Sequence, residues 1–170
     1  MTETLEDLAP TRVVAYVDEK GTYDHSAKAA VEIARRFGSR VILYDASSAS
    51  AFSEPIASTV SAEGVEEQFS DPLPPEELER LGRPSLAAQV ARARSDGVDA
   101  WGWLPSEHGL DAFWACAREK KADLTIVPHE LSSGGVLDKA LGDRLDDTTL
   151  REARIPVLVV DGDGSQVFAG

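Results

Sequence analysis

The chain has 170 residues, 42% of them apolar, with 17 basic and 30 acidic side chains for a net charge of −13; that is enough for one domain with a real core, while the negative field excludes a nucleic-acid or anionic-membrane partner. The single cysteine, Cys116, cannot make an internal disulfide, and no Cys and His cluster at zinc spacing, so a disulfide scaffold and a zinc module are excluded and the reducing cytoplasm is the expected compartment. Residues 1–10 carry Glu3, Glu6 and Asp7 without a basic or apolar signal region, and no apolar run approaches about 18 residues, so neither export nor a membrane span is expected.

Short β-branched blocks alternate with longer segments of helical period, the pattern of βα units. Val13-Val14-Ala15-Tyr16-Val17 is apolar at consecutive positions, as a strand covered on both faces requires, and ends at Asp18. A helix is predicted from Asp24, capped by Asp24 or Ser26, with Ala27, Ala30, Val31 and Ala34 on one face and Gly38 as its stop. Val41 to Tyr44 is a second buried strand. Residues 46 to about 84 then break the pattern as an acidic insertion rich in Ser, Ala, Pro and Glu. Residues 51–80 hold eight carboxylates against Arg80 alone, more than half of the net charge.

Helical pattern resumes at Pro75-Glu76-Glu77-Leu78 and continues after Pro84 through Leu86, Val90 and Ala93 to Gly97. Val98 to Trp103 is a third strand, weakened by Asp99 and Gly102. Ser106-Glu107-His108-Gly109 opens a helix with the stripe Leu110, Phe113, Trp114 and Ala117, ending near Lys120 and Lys121, where cations suit the helix dipole. Leu124 to Val127 is a fourth strand. A Ser-Gly loop, Ser132 to Gly135, leads to a helix around residues 143–153, and Val157 to Val160, introduced by Pro156, is a fifth strand. Residues 1–11 and 162–170 read as tails around a domain spanning 12–161.

Five parallel strands joined by helical crossovers form an α/β open three-layer sandwich. Ligands of such sheets bind beyond the carboxyl ends of the strands, at the switch in strand order. There the sequence places Asp18, Asp45, Trp103 to Ser106, Pro128 to Gly135, and Asp161.

From Arg12 to Val160 the chain resembles the universal stress protein family. The resemblance rests on Val13 to Asp18, on Lys121-Ala122-Asp123-Leu124-Thr125-Ile126-Val127, on Gly135-Val136 and Gly142, and on Ile155 to Val160. It implies a Rossmann-like, adenine-nucleotide α-hydrolase-like fold and a homodimer formed through the last strand. ATP-binding members carry a loop G-x2-G-x9-G-(S/T) after the fourth strand. Aligned on Gly142, that loop puts His129 and Ser132 at its first two glycines and Asp143 at its hydroxyl position. Glycines let a backbone approach polyphosphate, whereas β-carbons crowd it and a carboxylate repels it. One carboxylate within about 4 Å of a phosphate charge costs on the order of 4 kcal/mol, roughly a thousandfold in affinity. Lys139, Arg144 or a Mg²⁺ ion bridging Asp143 to phosphate would offset part of that. Asp18 matches the family's aspartate near the adenine, and Asp45 stands where the second strand offers an apolar residue to the base.

The resemblance therefore implies a non-enzymatic cytoplasmic stress-response or interaction domain, with an unidentified protein partner and no cofactor, that lacks the usual ATP binding. The alternative is a regulatory module holding ATP or AMP, with or without Mg²⁺, through Asp18, Ser132, Gly135, Gly142 and Asp143. An enzyme of the wider α-hydrolase group would need a complete pyrophosphate loop. Ser132 to Gly135 suits either a small-anion cradle or a plain loop. Cys116 borders the Phe113 stripe and reads as core rather than as a redox thiol. Of His25, His108 and His129, only His129 falls in the crevice. Trp101 and Trp103 read as packing residues. The sequence carries no nucleophile elbow, zincin helix or P-loop.

Overall fold

The computed structural model describes residues 5–46, 72–106, 109–133, 147–163 and 166–169. Its strands are β1 (Arg12–Val17), β2 (Arg40–Asp45), β3 (Asp99–Trp103), β4 (Leu124–Pro128), β5 (Val157–Val160) and β6 (Gln166–Ala169). The helices are α1 (Leu5–Leu8), α2 (Asp24–Phe37), α3 (Pro75–Arg80), α4 (Pro84–Ser95), α5 (Leu110–Glu119) and α6 (Asp147–Ala153), with a 3-10 turn at His129–Ser133. One sheet runs β3-β2-β1-β4-β5-β6. The first five strands are parallel, as expected, and β6 is antiparallel to β5. The chain steps outward from β1 to β3 and then returns to place β4 on the other side of β1, so the order reverses between β1 and β4.

Because successive strand residues point to opposite faces, a consecutive apolar run feeds two cores. Val13, Ala15, Val17, Val41, Leu43 and Ile126 pack with Ala30 and Ile33 of α2 and with Leu78, Leu86 and Val90 of α3 and α4. Val14, Tyr16, Ile42, Tyr44 and Val127 pack on the other face with Leu110, Phe113, Trp114 and Ala117 of α5 and Ala153 of α6. Aromatic edges meet faces there: Phe113 lies 5.3 Å from Tyr16, 5.0 Å from Tyr44 and 5.0 Å from Trp114, centroid to centroid, the tilted arrangement that ring quadrupoles favour. Cys116 belongs to this core, and burial pushes its thiol up to about 12 despite the charge of Lys120 nearby.

Gly38 ends α2 as expected, in the left-handed conformation at φ 71° with its N–H on the Ala34 carbonyl. The expected side-chain cap is absent. Tyr23 holds the cap position, Asp24 accepts a bond from Gln89 Nε2 at 2.9 Å, and Ser26 is fully buried.

Gly102 strengthens β3 rather than weakening it. A Cβ there would stand 2.6 Å from Cδ1 of the fully buried Leu78, so the missing side chain is what lets α3 close on the sheet. Leu73 exchanges two backbone bonds with Gly102, of 2.8 and 2.9 Å. The end of the acidic insertion, residues 72–84, is thus an integral layer of the fold, while 47–71 lie outside the described residues.

Both tails also contribute. Leu5 and Leu8 of α1 pack on the first core, and β6 takes up the outer edge of β5. The Asp123 carboxylate fastens the start of β1, accepting the Thr11 N–H, the Thr11 hydroxyl and the Arg12 N–H within 2.9–3.1 Å.

Candidate functional site

The crevice beyond the strand carboxyl ends is built by four connections. After β1, Asp18 is half-buried and its Oδ1 accepts the Thr22 N–H at 2.8 Å. This bond closes a turn in which Gly21 takes φ +79°, and the aspartate performs the ordinary turn-forming work of its residue type. Glu19, beside it, reaches across to α4: its two oxygens accept the Ser85 and Leu86 N–H groups at 2.7 and 2.9 Å. A carboxylate there satisfies two orphan donors and meets the positive end of the helix dipole.

After β2, Asp45 is fully buried, and its Oδ2 lies 2.9 Å from Nε of Arg83, whose side chain is 11% exposed. Arg83 also donates from Nη1 to the Gly82 carbonyl at 3.1 Å. Its position between α3 and α4 drives a guanidinium under the edge of β2. The end of β2 therefore presents a charge pair locked into the protein in place of an apolar contact.

After β4, His25 Nε2 and a Glu130 carboxylate oxygen are 3.0 Å apart, tying α2 to the 3-10 turn. His129 Nδ1 lies 3.8 Å from Asp161 Oδ2, linking that turn to the end of β5. A cleft of about 440 Å³ opens beside these contacts, lined by Thr22, Asp24, His25, Lys28, Glu32 and Asp161 among others. Its three carboxylates outnumber its one lysine, a poor environment for a phosphate.

Of the predicted site residues, the structure puts Asp18 and the turn carrying Ser132 at the same end of the sheet, after neighbouring strands β1 and β4. Gly135, Gly142 and Asp143 lie outside the described residues, as does His108. His129 is exposed at the crevice, as expected; His25, placed outside the crevice by the sequence, instead joins Glu130 there with its side chain only 16% exposed. Trp103 is buried in the second core, and the Trp101 ring carries the guanidinium groups of Arg40 and Arg94 at 5.1 and 4.6 Å from its centroid, consistent with packing. Among the described residues, no three His, Cys, Asp or Glu side chains are grouped to hold a metal, and no helix is long and apolar enough to cross a membrane.

Sequence reasoning missed Glu19, Arg83 and Glu130. Pro84 signals the start of α4, but the partners of Glu19 and Arg83 are separated from them by a strand, a helix or the insertion, and no local spacing reveals such pairs.

No family model and no curated protein matches the sequence. Solved structures do match. A universal stress protein family member from Burkholderia pseudomallei aligns with TM-score 0.52 at 22% identity, covering 89% of this chain and 96% of that one. A universal stress protein in complex with cAMP gives 0.56 at 19%, over 89% and 97%. A universal stress protein from Archaeoglobus fulgidus, solved without a stated ligand, gives 0.53 at 16%, over 88% and 92%, and a structure from that organism in complex with dAMP gives 0.50 at 15%, over 88% and 96%. In fold, this chain is similar to the universal stress proteins along nearly its whole length.

Proposed function

We propose that this chain is a universal stress protein-like domain of the cytoplasm, non-enzymatic, acting in stress response through protein interaction and without the ATP binding usual in that family. The observation that carries the reading is the buried Asp45–Arg83 pair at the end of β2. By the family resemblance this is where a base would rest, and a base would have to settle against a buried ion pair instead of an apolar side chain. The sequence supports the same reading through His129, Ser132 and Asp143, which crowd or repel a polyphosphate where glycines and a hydroxyl would receive it.

A second reading, a purine nucleotide bound in the same crevice, draws on the structural neighbours in complex with cAMP and dAMP. The carboxylates of Asp24, Glu32 and Asp161 lining the 440 Å³ cleft weigh against it.

The partner implied by the resemblance is a second copy of the chain, paired through the last strand. With β6 covering the outer edge of β5, β6 is the outermost strand on that side and the one a second copy would meet.

The test is calorimetric titration with ATP, with and without Mg²⁺, of the wild type and of a variant combining His129→Gly, Ser132→Gly and Asp143→Ser. Binding that appears only in the repaired variant supports the reading. Wild-type binding that the repair weakens overturns it.

A further inference from the structure

At the opposite end of the sheet lies a cleft with the reverse electrostatic character. Arg12 and Arg40 are the first residues of β1 and β2 and stand directly opposite each other in the register. With Lys120 and Lys121, which follow α5, they line a cleft of about 410 Å³ whose lining also includes Val14, Ile42 and Pro72. Two guanidinium groups on neighbouring strands repel each other, and two lysines here add to the repulsion.

Among the described residues, three carboxylates stand near these four cations. Glu119 lines the same cleft. Asp99 Oδ2 is 3.6 Å from Arg40 Nε, and the Asp123 carboxylate is engaged by Thr11 and by the Arg12 backbone N–H. Arg40 stacks over Trp101 at 5.1 Å and Lys120 over Trp103 at 4.7 Å, so two of the cationic heads are held in place. The chain as a whole carries −13, so this cluster runs against the protein's overall field, and long-range attraction does not account for an anion arriving here.

We propose that this cleft binds a small multivalent oxyanion of the phosphate class. The two guanidinium forks would grip oxygen pairs, and Lys120 and Lys121 would act as point charges. The site is separate from the crevice at the strand carboxyl ends, and its occupancy is independent of whether a nucleotide binds there.

The test is calorimetric titration of the full chain with inorganic pyrophosphate at low ionic strength. Arg12→Ser and Lys121→Asn remove one charge each, the latter with a residue that tolerates the left-handed backbone at φ 58°. Arg35→Ser, on the exposed side of α2, removes an equal charge elsewhere, and thermal melts check that each variant is folded. The expected result is saturable binding by the wild type, weakened at least tenfold by either cleft substitution and unchanged by Arg35→Ser. Absence of binding up to millimolar pyrophosphate, or an equal loss in the Arg35→Ser protein, overturns the proposal.

Discussion

Replacing Arg83 by Met takes a charged partner away from the Asp45 carboxylate buried inside the protein. The pair is 2.9 Å apart with Asp45 at 0% exposure; at an effective dielectric of 20 that separation corresponds to about 6 kcal/mol of attraction. Most of this repays the desolvation of the two ions, so the pair adds little beyond what a well-packed apolar replacement would give. Breaking it is another matter, because the remaining charge keeps its desolvation penalty and loses its partner. The expected cost is about 3 to 5 kcal/mol, equivalent to a fall in Tm of roughly 6 to 20 °C for a domain of this size. Urea unfolding at neutral pH measures it, and a double-mutant cycle with Asp45→Leu isolates the coupling. The double variant should recover most of the stability lost by Arg83→Met. A loss below about 1 kcal/mol for Arg83→Met alone would refute the reasoning, since it would mean that water reaches the Asp45 carboxylate.

Three further outcomes follow from the packing. The Cys116 thiol keeps its proton in the folded chain up to about pH 12, whereas the unfolded thiol loses it near 9; folding stability therefore falls as pH rises above 9, by about 1.4 kcal/mol between pH 8 and 10. Urea midpoints of wild type and Cys116→Ala at the two pH values should show this extra slope only in the wild type, and an equal slope in both would contradict it. Gly102→Ala puts a methyl group 2.6 Å from Leu78 Cδ1 and should cost about 1 to 3 kcal/mol in chemical denaturation; a neutral result would mean that α3 does not press on β3. Glu19→Ala removes the acceptor of two N–H groups at the start of α4 and should cost about 1 to 2 kcal/mol. Hydrogen exchange should quicken first at the Ser85 and Leu86 amides, and unchanged protection there would argue against the cap.

The parts of the fold legible in the sequence are those whose signal is local. Val13 to Val17 and Leu124 to Val127 declare themselves as strands covered on two faces by unbroken apolar runs, and Gly38 marks its helix end by its left-handed preference. Gly102 was misleading because propensity treats glycine as a loss, whereas the tight approach of Leu78 makes it a requirement. β6 was invisible as a strand because Gln166 to Ala169 lacks a clear alternating pattern and follows an Asp-Gly run that reads as a tail. At the crevice, Asp18 and His129 were found from their places after strands. The pairing of Asp45 with Arg83 was beyond reach, since it depends on how the segment from 72 to 84 packs after a long insertion.

The proposed function joins a fold similar to that of the universal stress proteins to a crevice that does not take ATP in the usual way. Calorimetric titration of the wild-type chain with ATP and Mg²⁺, after mass spectrometry for nucleotide carried through purification, tests it most directly. The account predicts no carried nucleotide and no saturable heat at micromolar ATP; a co-purified adenine nucleotide or micromolar binding would contradict it.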